Sequence, residues 1–149
     1  MNREIKFRLY DKVNKFMVYA SSKIYINMFG KVVLEDIYDG EIIEANKDTY
    51  VLMQSIGLYD KFGEEIYERD IVKANDYVGI VKYGEFDIYK MAREQSDEAA
   101  DLLTFTSAYG WYIAFQDGTD YLFDNNTEEW LEVTGNIYEH SELLEAANE

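Results

Sequence analysis

"GLYDKFGEEIYERDIVK", residues 57–73, carries more structural signals than any other part of the chain. It holds glycines at 57 and 63, a run of carboxylates and two apolar patches with the period-two spacing of strands. "DKFGE" reads as a turn in which Gly63 supplies a positive φ at no steric cost. "EEIYE" and "DIVK" then flank a kink at Glu68-Arg69. Either this segment bends a sheet around a corner, or its acids form the floor of a reactive site.

The acids are the first test. Glu64, Glu65, Glu68 and Asp70 are the densest carboxylate cluster beside structure signals. On a strand, successive side chains point to opposite faces, so Glu64 and Glu68 would share one face and Glu65 would occupy the other. Two carboxylates on one face could hold Mg²⁺ or act as an acid/base pair in a metal-assisted hydrolase. The competing reading is a solvated strand face and a turn. With 30 acidic residues in the chain, close pairs arise by chance, and the solvated reading is favoured.

Other chemical motifs are weaker. "DNNTEEW", residues 124–130, places oxygen ligands at Asp124, Asn126 and Glu128 in the manner of a calcium loop. The loop glycine would then fall at Glu129 and the closing bidentate Glu at Gly135, so the pattern fails twice. Asn125-Asn126 reads better as a hairpin tip. His140 is the one histidine, too few for a facial metal triad. Ser141 beside it fits a helix cap better than a nucleophile, because sequence neighbours rarely face each other in reacting geometry. No Cys offers a nucleophile, and no glycine pattern resembles a phosphate loop. No catalytic, cofactor-binding or metal-binding residue is therefore assigned, no cofactor is expected, and the chain is expected not to be an enzyme.

Outward from the central segment, strand and turn signals alternate. "REIKFRLYDKVNKFMVY" reads as a hairpin: Ile5, Phe7 and Leu9 alternate with Lys6 and Arg8, and Asn14 suits a left-handed turn position. Residues 23–34 suit strands broken at Gly30, and the acidic "LEDIYDGEIIEANKD" reads as a loop or edge element turning at Asp39-Gly40. "YVLMQSIGLYD" returns to the core. "YVGIVKYG" is a strand whose Gly79 marks a bulge or a close backbone approach. "LYDK" occurs at 9–12 and 58–61, each time entering a turn, which points to two hairpins with the same chemistry.

"AREQSDEAADLL", residues 92–103, is rich in Ala, Glu and Leu and predicts a helix, peripheral because its apolar positions are sparse. Asp117-Gly118 within "GWYIAFQDGTDYLF" is the strongest hairpin signal. "WLEVTGNIY" predicts the last strand. "EHSELLEAANE" predicts a C-terminal helix with Ser141 at its N-cap and Leu143 and Leu144 docking on the sheet. Many short strands with one or two helices describe a small barrel with appendages.

Composition bounds what such a domain can meet. A chain of 149 residues with 48% hydrophobic content fits one domain with a sizeable core. The 14 tyrosines fit half-buried strand positions, and any surplus could line a self-association or ligand surface. There is no Pro and no Cys, so polyproline linkers and disulfides are excluded. The start, "MNREIKFRLYDK", has no apolar core of a signal peptide, and no apolar run approaches membrane-spanning length, so a cytoplasmic protein away from membranes is expected. Fourteen basic against 30 acidic residues give a net charge of −16, which repels nucleic acid. The same charge suits an acidic decoy occupying the basic groove of a DNA-binding protein.

Three separated stretches stand out in order, "REIKFRLYD" (3–11), "MQSIGLYDKFGEEIYERDIVK" (53–73) and "GNIYEHSELL" (135–144), with "GIVKY" (79–83) between the second and third. Together they resemble the YopX-like family of bacterial and bacteriophage proteins. Two departures stand out: the family commonly has Gly where this chain has Arg69, and Pro where it has Ser141. The resemblance implies a phage or prophage protein with a mainly β fold, a small SH3-like barrel. Around it would stand an N-terminal β-hairpin, a peripheral helical insertion at about 90–108 and a short C-terminal helix. It implies one domain over 1–149 with a barrel core at about 50–140. It also implies that Asp70 accepts backbone N–H bonds at a strand corner, and it supplies no catalytic residue. The expected role is a non-catalytic binding or assembly module, with a self or host protein as partner and homo-oligomerisation open. The decoy and the Glu64/Glu68 hydrolase are the alternatives.

Overall fold

The computed structural model describes residues 4–19, 23–35, 38–87 and 107–147, with Ser96 and Glu98. The chain is mainly β, with a curled half-barrel sheet and two short helices among the described residues. It divides into two compact units, Met1–Ser55 and Ile56–Glu149.

In the first unit, β1 (Phe7–Asp11) pairs with β2 (Phe16–Val18) as the predicted hairpin, and on its other side with the first part of β6 (Tyr50–Tyr59). β3 (Ile24–Ile26), β4 (Val32–Glu35) and β5 (Ile42–Glu44) form a separate three-stranded meander whose outer strand β5 is exposed throughout, as its acidic surroundings implied. The predicted alternation in β1 does not hold. Ile5 lies 60% exposed, whereas Arg8 is only 3% exposed, alongside buried Leu9, Tyr10 and Asp11. A strand paired on both edges and covered on both faces has no solvent side. Arg8 accommodates this by burying its stem, its guanidinium reaching the Met53 sulfur at 3.8 Å and the Tyr19 ring at 6.0 Å. The left-handed residue of the hairpin is Lys15 (φ 58), one position beyond the expected Asn14. Asn14 is occupied otherwise: its N–H and side-chain amide both donate to the Asp11 carboxylate, at 3.0 and 2.8 Å.

In the second unit, β8 (Asp70–Ala74), β9 (Tyr77–Asp87), β10 (Ser107–Phe115), β11 (Asp120–Leu122) and β12 (Glu132–Asn136) form an antiparallel sheet in the order β11-β10-β9-β8-β12, and β7 (Glu65–Tyr67) lies beside β6. Ile56, Ile66, Val72, Val81, Ile113 and Leu131 make its core. Gly79 is a close approach, not a bulge: a Cβ there would lie 2.6 Å from Ile113 Cγ2 and 3.0 Å from the Phe115 ring. The bulge falls instead in β12, between Val133 and Gly135, where the Thr134 hydroxyl donates to the Ile71 carbonyl at 3.1 Å.

Asn125-Asn126 is not a hairpin tip. β11 and β12 lie at opposite edges of the sheet, so no tight turn can join them. Asn126 instead stands at the N-cap position of a single-turn helix, α1 (Thr127–Trp130), without a side-chain capping bond, and this helix takes Trp130 out of the predicted last strand. The C-terminal helix α2 (Glu142–Ala147) follows Ser141 as expected, with Leu143 and Leu144 half-buried, and the Gln116 side-chain amide donates to the Leu144 carbonyl at 3.0 Å. The helix expected at 92–103 and the insertion around it lie outside the described residues, apart from Ser96, Glu98 and the start of β10.

The opening stretch is a corner. Asp60, 4% exposed, receives the N–H groups of Phe62 (2.9 Å) and Glu64 (2.8 Å) on Oδ1 and that of Val133 (2.9 Å) on Oδ2. Gly63 adopts φ 84 in this turn. At the kink, Tyr67 N–H donates to buried Asp70 Oδ2 at 2.8 Å, the structural role expected of that acid. Arg69 stands at φ 67, donates its N–H to the Val81 carbonyl and accepts that of Ile137. Its side chain hydrogen-bonds the Tyr138 hydroxyl, with the guanidinium 5.8 Å from the centre of that ring. A residue with Cβ is strained in that region by about 1 kcal/mol or more, and the hydrogen bond to Tyr138 offsets part of it.

Asp60→Ala is expected to cost about 2–4 kcal/mol of stability, because three N–H donors lose an ionised acceptor. Asp60→Asn, which keeps an Oδ1 acceptor but turns an amide toward Val133 N–H, should fall between; urea unfolding of the three proteins measures the order. Asp11 gives a pH signature. The backbone and side-chain bonds from Asn14, helped by Val13, hold its carboxyl below the usual value. A depressed folded pKa contributes stability that is complete above the unfolded value of about 3.9 and is lost as pH falls through the folded value. The melting-temperature gap between wild type and Asp11→Asn should therefore be constant near neutrality and close below about pH 4.

Candidate functional site

Three connections meet at one end of the second unit's sheet. The β8–β9 turn brings Asn75 and Tyr77, the β10–β11 hairpin brings Phe115, Asp117, Thr119 and Tyr121, and the entry to α1 brings Asp124, Asn126 and Trp130. Between them lies an open cleft of about 560 Å³, within the size range of ligand clefts.

Its walls are aromatic. Tyr77 and Phe115 meet edge to face with centroids 6.2 Å apart, Phe115 and Tyr121 at 6.3 Å, and Tyr121 and Trp130 at 5.8 Å. Phe115 and Trp130 also pack against the core, so the rings rest on a fixed base. Gly79, opposite Phe115 in the ladder, leaves the room that this ring needs. Tyr77 and Tyr121 are instead 56% and 52% exposed, so part of each side chain reaches solvent at the cleft.

Two aspartates border the rings, and each is held by the turn that it heads. Asp117 Oδ1 accepts from the N–H (2.9 Å) and hydroxyl (2.6 Å) of Thr119, and Gly118 completes the hairpin at φ 91. Asp124 Oδ1 accepts from Asn126 N–H at 2.8 Å and faces the Thr127 hydroxyl at 3.4 Å, and that hydroxyl takes the Asp124 N–H at 3.0 Å. Thr127 is fully buried, which anchors the loop. Both contacts of the exposed Asp124 carboxylate fall on Oδ1. No lysine or arginine is among the described lining residues.

The residues weighed from sequence fall elsewhere or take other roles. β7 covers Glu65–Tyr67 alone, so Glu64 and Glu68 flank the strand and do not share a strand face. Glu64 is exposed in the Asp60 turn, and Asp70 is buried with its carboxylate on Tyr67 N–H. Among the described residues, no three acids or histidines gather in a cation-binding arrangement. Asp124, Asn126 and Glu128 belong to the entry and first turn of α1 instead of a cation loop. His140 Nδ1 accepts Asn136 N–H at 3.2 Å and packs on Gly135, where a Cβ would lie 2.6 Å away; Ser141 leads into α2. Of the cleft residues, sequence reading singled out Asp117 for its hairpin, and it weighed Asp124 and Asn126 as cation-loop ligands before rejecting that pattern. It had no means of joining them to Tyr77, Tyr121 and Trp130, whose convergence depends on strand order.

Among the described residues, no helix is long and apolar enough to cross a membrane. The family model described as YopX protein matches residues 6–145. No curated protein matches the chain. Two solved structures are similar in fold, each at 20% sequence identity. Protein EF1440 from Enterococcus faecalis has a TM-score of 0.52, with 96% of this chain and 99% of that one covered. Protein yopX from Bacillus subtilis has a TM-score of 0.50, with 92% and 95% covered. With the family match spanning the hairpin, the corner and the cleft, the chain belongs to the YopX family.

Proposed function

We propose that this YopX-family protein is a non-catalytic binding module, phage- or prophage-encoded, that seats part of a partner protein in the aromatic cleft. The observation that carries this reading is the edge-to-face run of Tyr77, Phe115, Tyr121 and Trp130 around an open cleft. Tyr and Trp at such positions are the residues that dominate protein–protein binding energy, because they contribute large rigid contact areas with few rotamers to fix. Two of the rings are anchored in the core and two stand in solvent, so the surface is ordered before a partner arrives. The Asp117 and Asp124 carboxylates nearby accept hydrogen bonds within their own turns.

The acidic decoy remains the second reading, favoured by the net charge of −16. It would act through long-range attraction spread over the surface, and salt would release its partner.

The test is capture from a host lysate with wild type and with a Tyr77→Ala/Tyr121→Ala double variant, both confirmed as folded by circular dichroism. Loss of two aromatic anchors is expected to weaken capture of specific proteins by about tenfold or more at moderate salt. An identical captured set for both proteins overturns the cleft reading. A set of basic proteins that the double variant keeps and that salt removes supports the decoy.

A further inference from the structure

Resting on that reading, we infer that the cleft recognises an arginine side chain presented by a segment of a partner protein. Aromatic ring faces carry partial negative charge and attract cations within about 6 Å of the ring centre. Tyr77 and Tyr121 line the cleft half exposed, and Asp117 and Asp124 line it with them. Asp124 Oδ2 takes no hydrogen bond from the described residues, and its carboxylate is exposed, so an incoming guanidinium can reach it.

The ionisable groups of the wall are acids and tyrosines. Cavities of the first unit differ in this: one is lined by Arg8, another by Lys31 and Lys47. Among the described lining residues an anionic ligand would meet rings and carboxylates and no lysine or arginine. The chain's net charge of −16 adds a field that draws basic segments inward and repels acidic ones and nucleic acid. Arginine is favoured over lysine because its planar guanidinium can stack on one ring while its edge donates to a carboxylate.

The experiment is an amide and indole NMR titration of the full chain with blocked Gly-Arg-Gly peptide, its citrulline and lysine counterparts, and tetramethylammonium. The arginine peptide is expected to shift resonances of Tyr77, Tyr121, Asp124 and the Trp130 indole. Citrulline, isosteric but neutral, should bind about tenfold more weakly. Tyr121→Leu and Asp124→Asn, the latter keeping its Oδ1 acceptor, should each weaken binding several-fold, while Glu139→Gln, an acid outside the cleft lining, should not. Equal binding of citrulline overturns the inference, as do shifts scattered over the acidic surface and insensitive to Tyr121→Leu. Tighter binding of tetramethylammonium than of the arginine peptide also overturns it, in favour of a small-molecule cation. If the arginine peptide fails while cleft-dependent capture from lysate persists, the cation inference falls and the binding module stands. If capture is independent of the cleft, the binding-module reading falls with it.

Discussion

The second unit depends on one carboxylate. Asp60 closes its own turn through two N–H groups and, with its other oxygen, receives Val133 N–H from 73 residues further along the chain. The neighbouring Lys61 N–H donates to the Leu131 carbonyl at 2.9 Å, so the turn and the segment entering β12 are joined at two points. The same device recurs. Asp11, Asn27, Asp39, Asn46, Asp117, Asp124 and Asn136 each accept the N–H of the residue two positions on, between 2.8 and 3.1 Å. A chain with no proline cannot pre-set its turns through a locked φ, and here short polar side chains do so by capturing their own backbone. Part of the acidity is therefore architectural, because some of the aspartates hold loops.

The repeated "LYDK" shows how far such chemistry is legible in a sequence. Both copies head hairpins, and both aspartates close them through N–H acceptance. Gly63 and Asp117-Gly118 were readable for the same reason, since a turn is a local object decided by a few adjacent residues. Errors came where distant strands decide the outcome. Nothing near Arg8 announces that its strand is paired on both edges and covered on both faces. Asn125-Asn126 has the composition of a hairpin tip, but the strands on either side occupy opposite edges of the sheet. The cleft belongs to this second class: Asp117 was visible as a turn former, and its meeting with Asp124 and the rings was not.

Arg69 refines the meaning of the family resemblance. Where the resemblance leads one to expect glycine, the backbone of this chain takes the left-handed conformation that glycine allows. Arg69 exchanges conformational ease for an interaction with Tyr138, and the peptide groups of the corner still bond to Val81 and Ile137. Geometry is the constraint at this position, and the residue type answers to it.

Phe115 and Trp130 serve two masters. They line the cleft and also press on Ile113, Leu131 and their neighbours, so altering either would loosen the interior while reshaping the exterior. Tyr77 and Tyr121 stand under no such double duty. The cleft thus has a conservative half and a permissive half, and a lineage adapting to a new target can rewrite the tyrosines freely while the inner rings keep the frame intact.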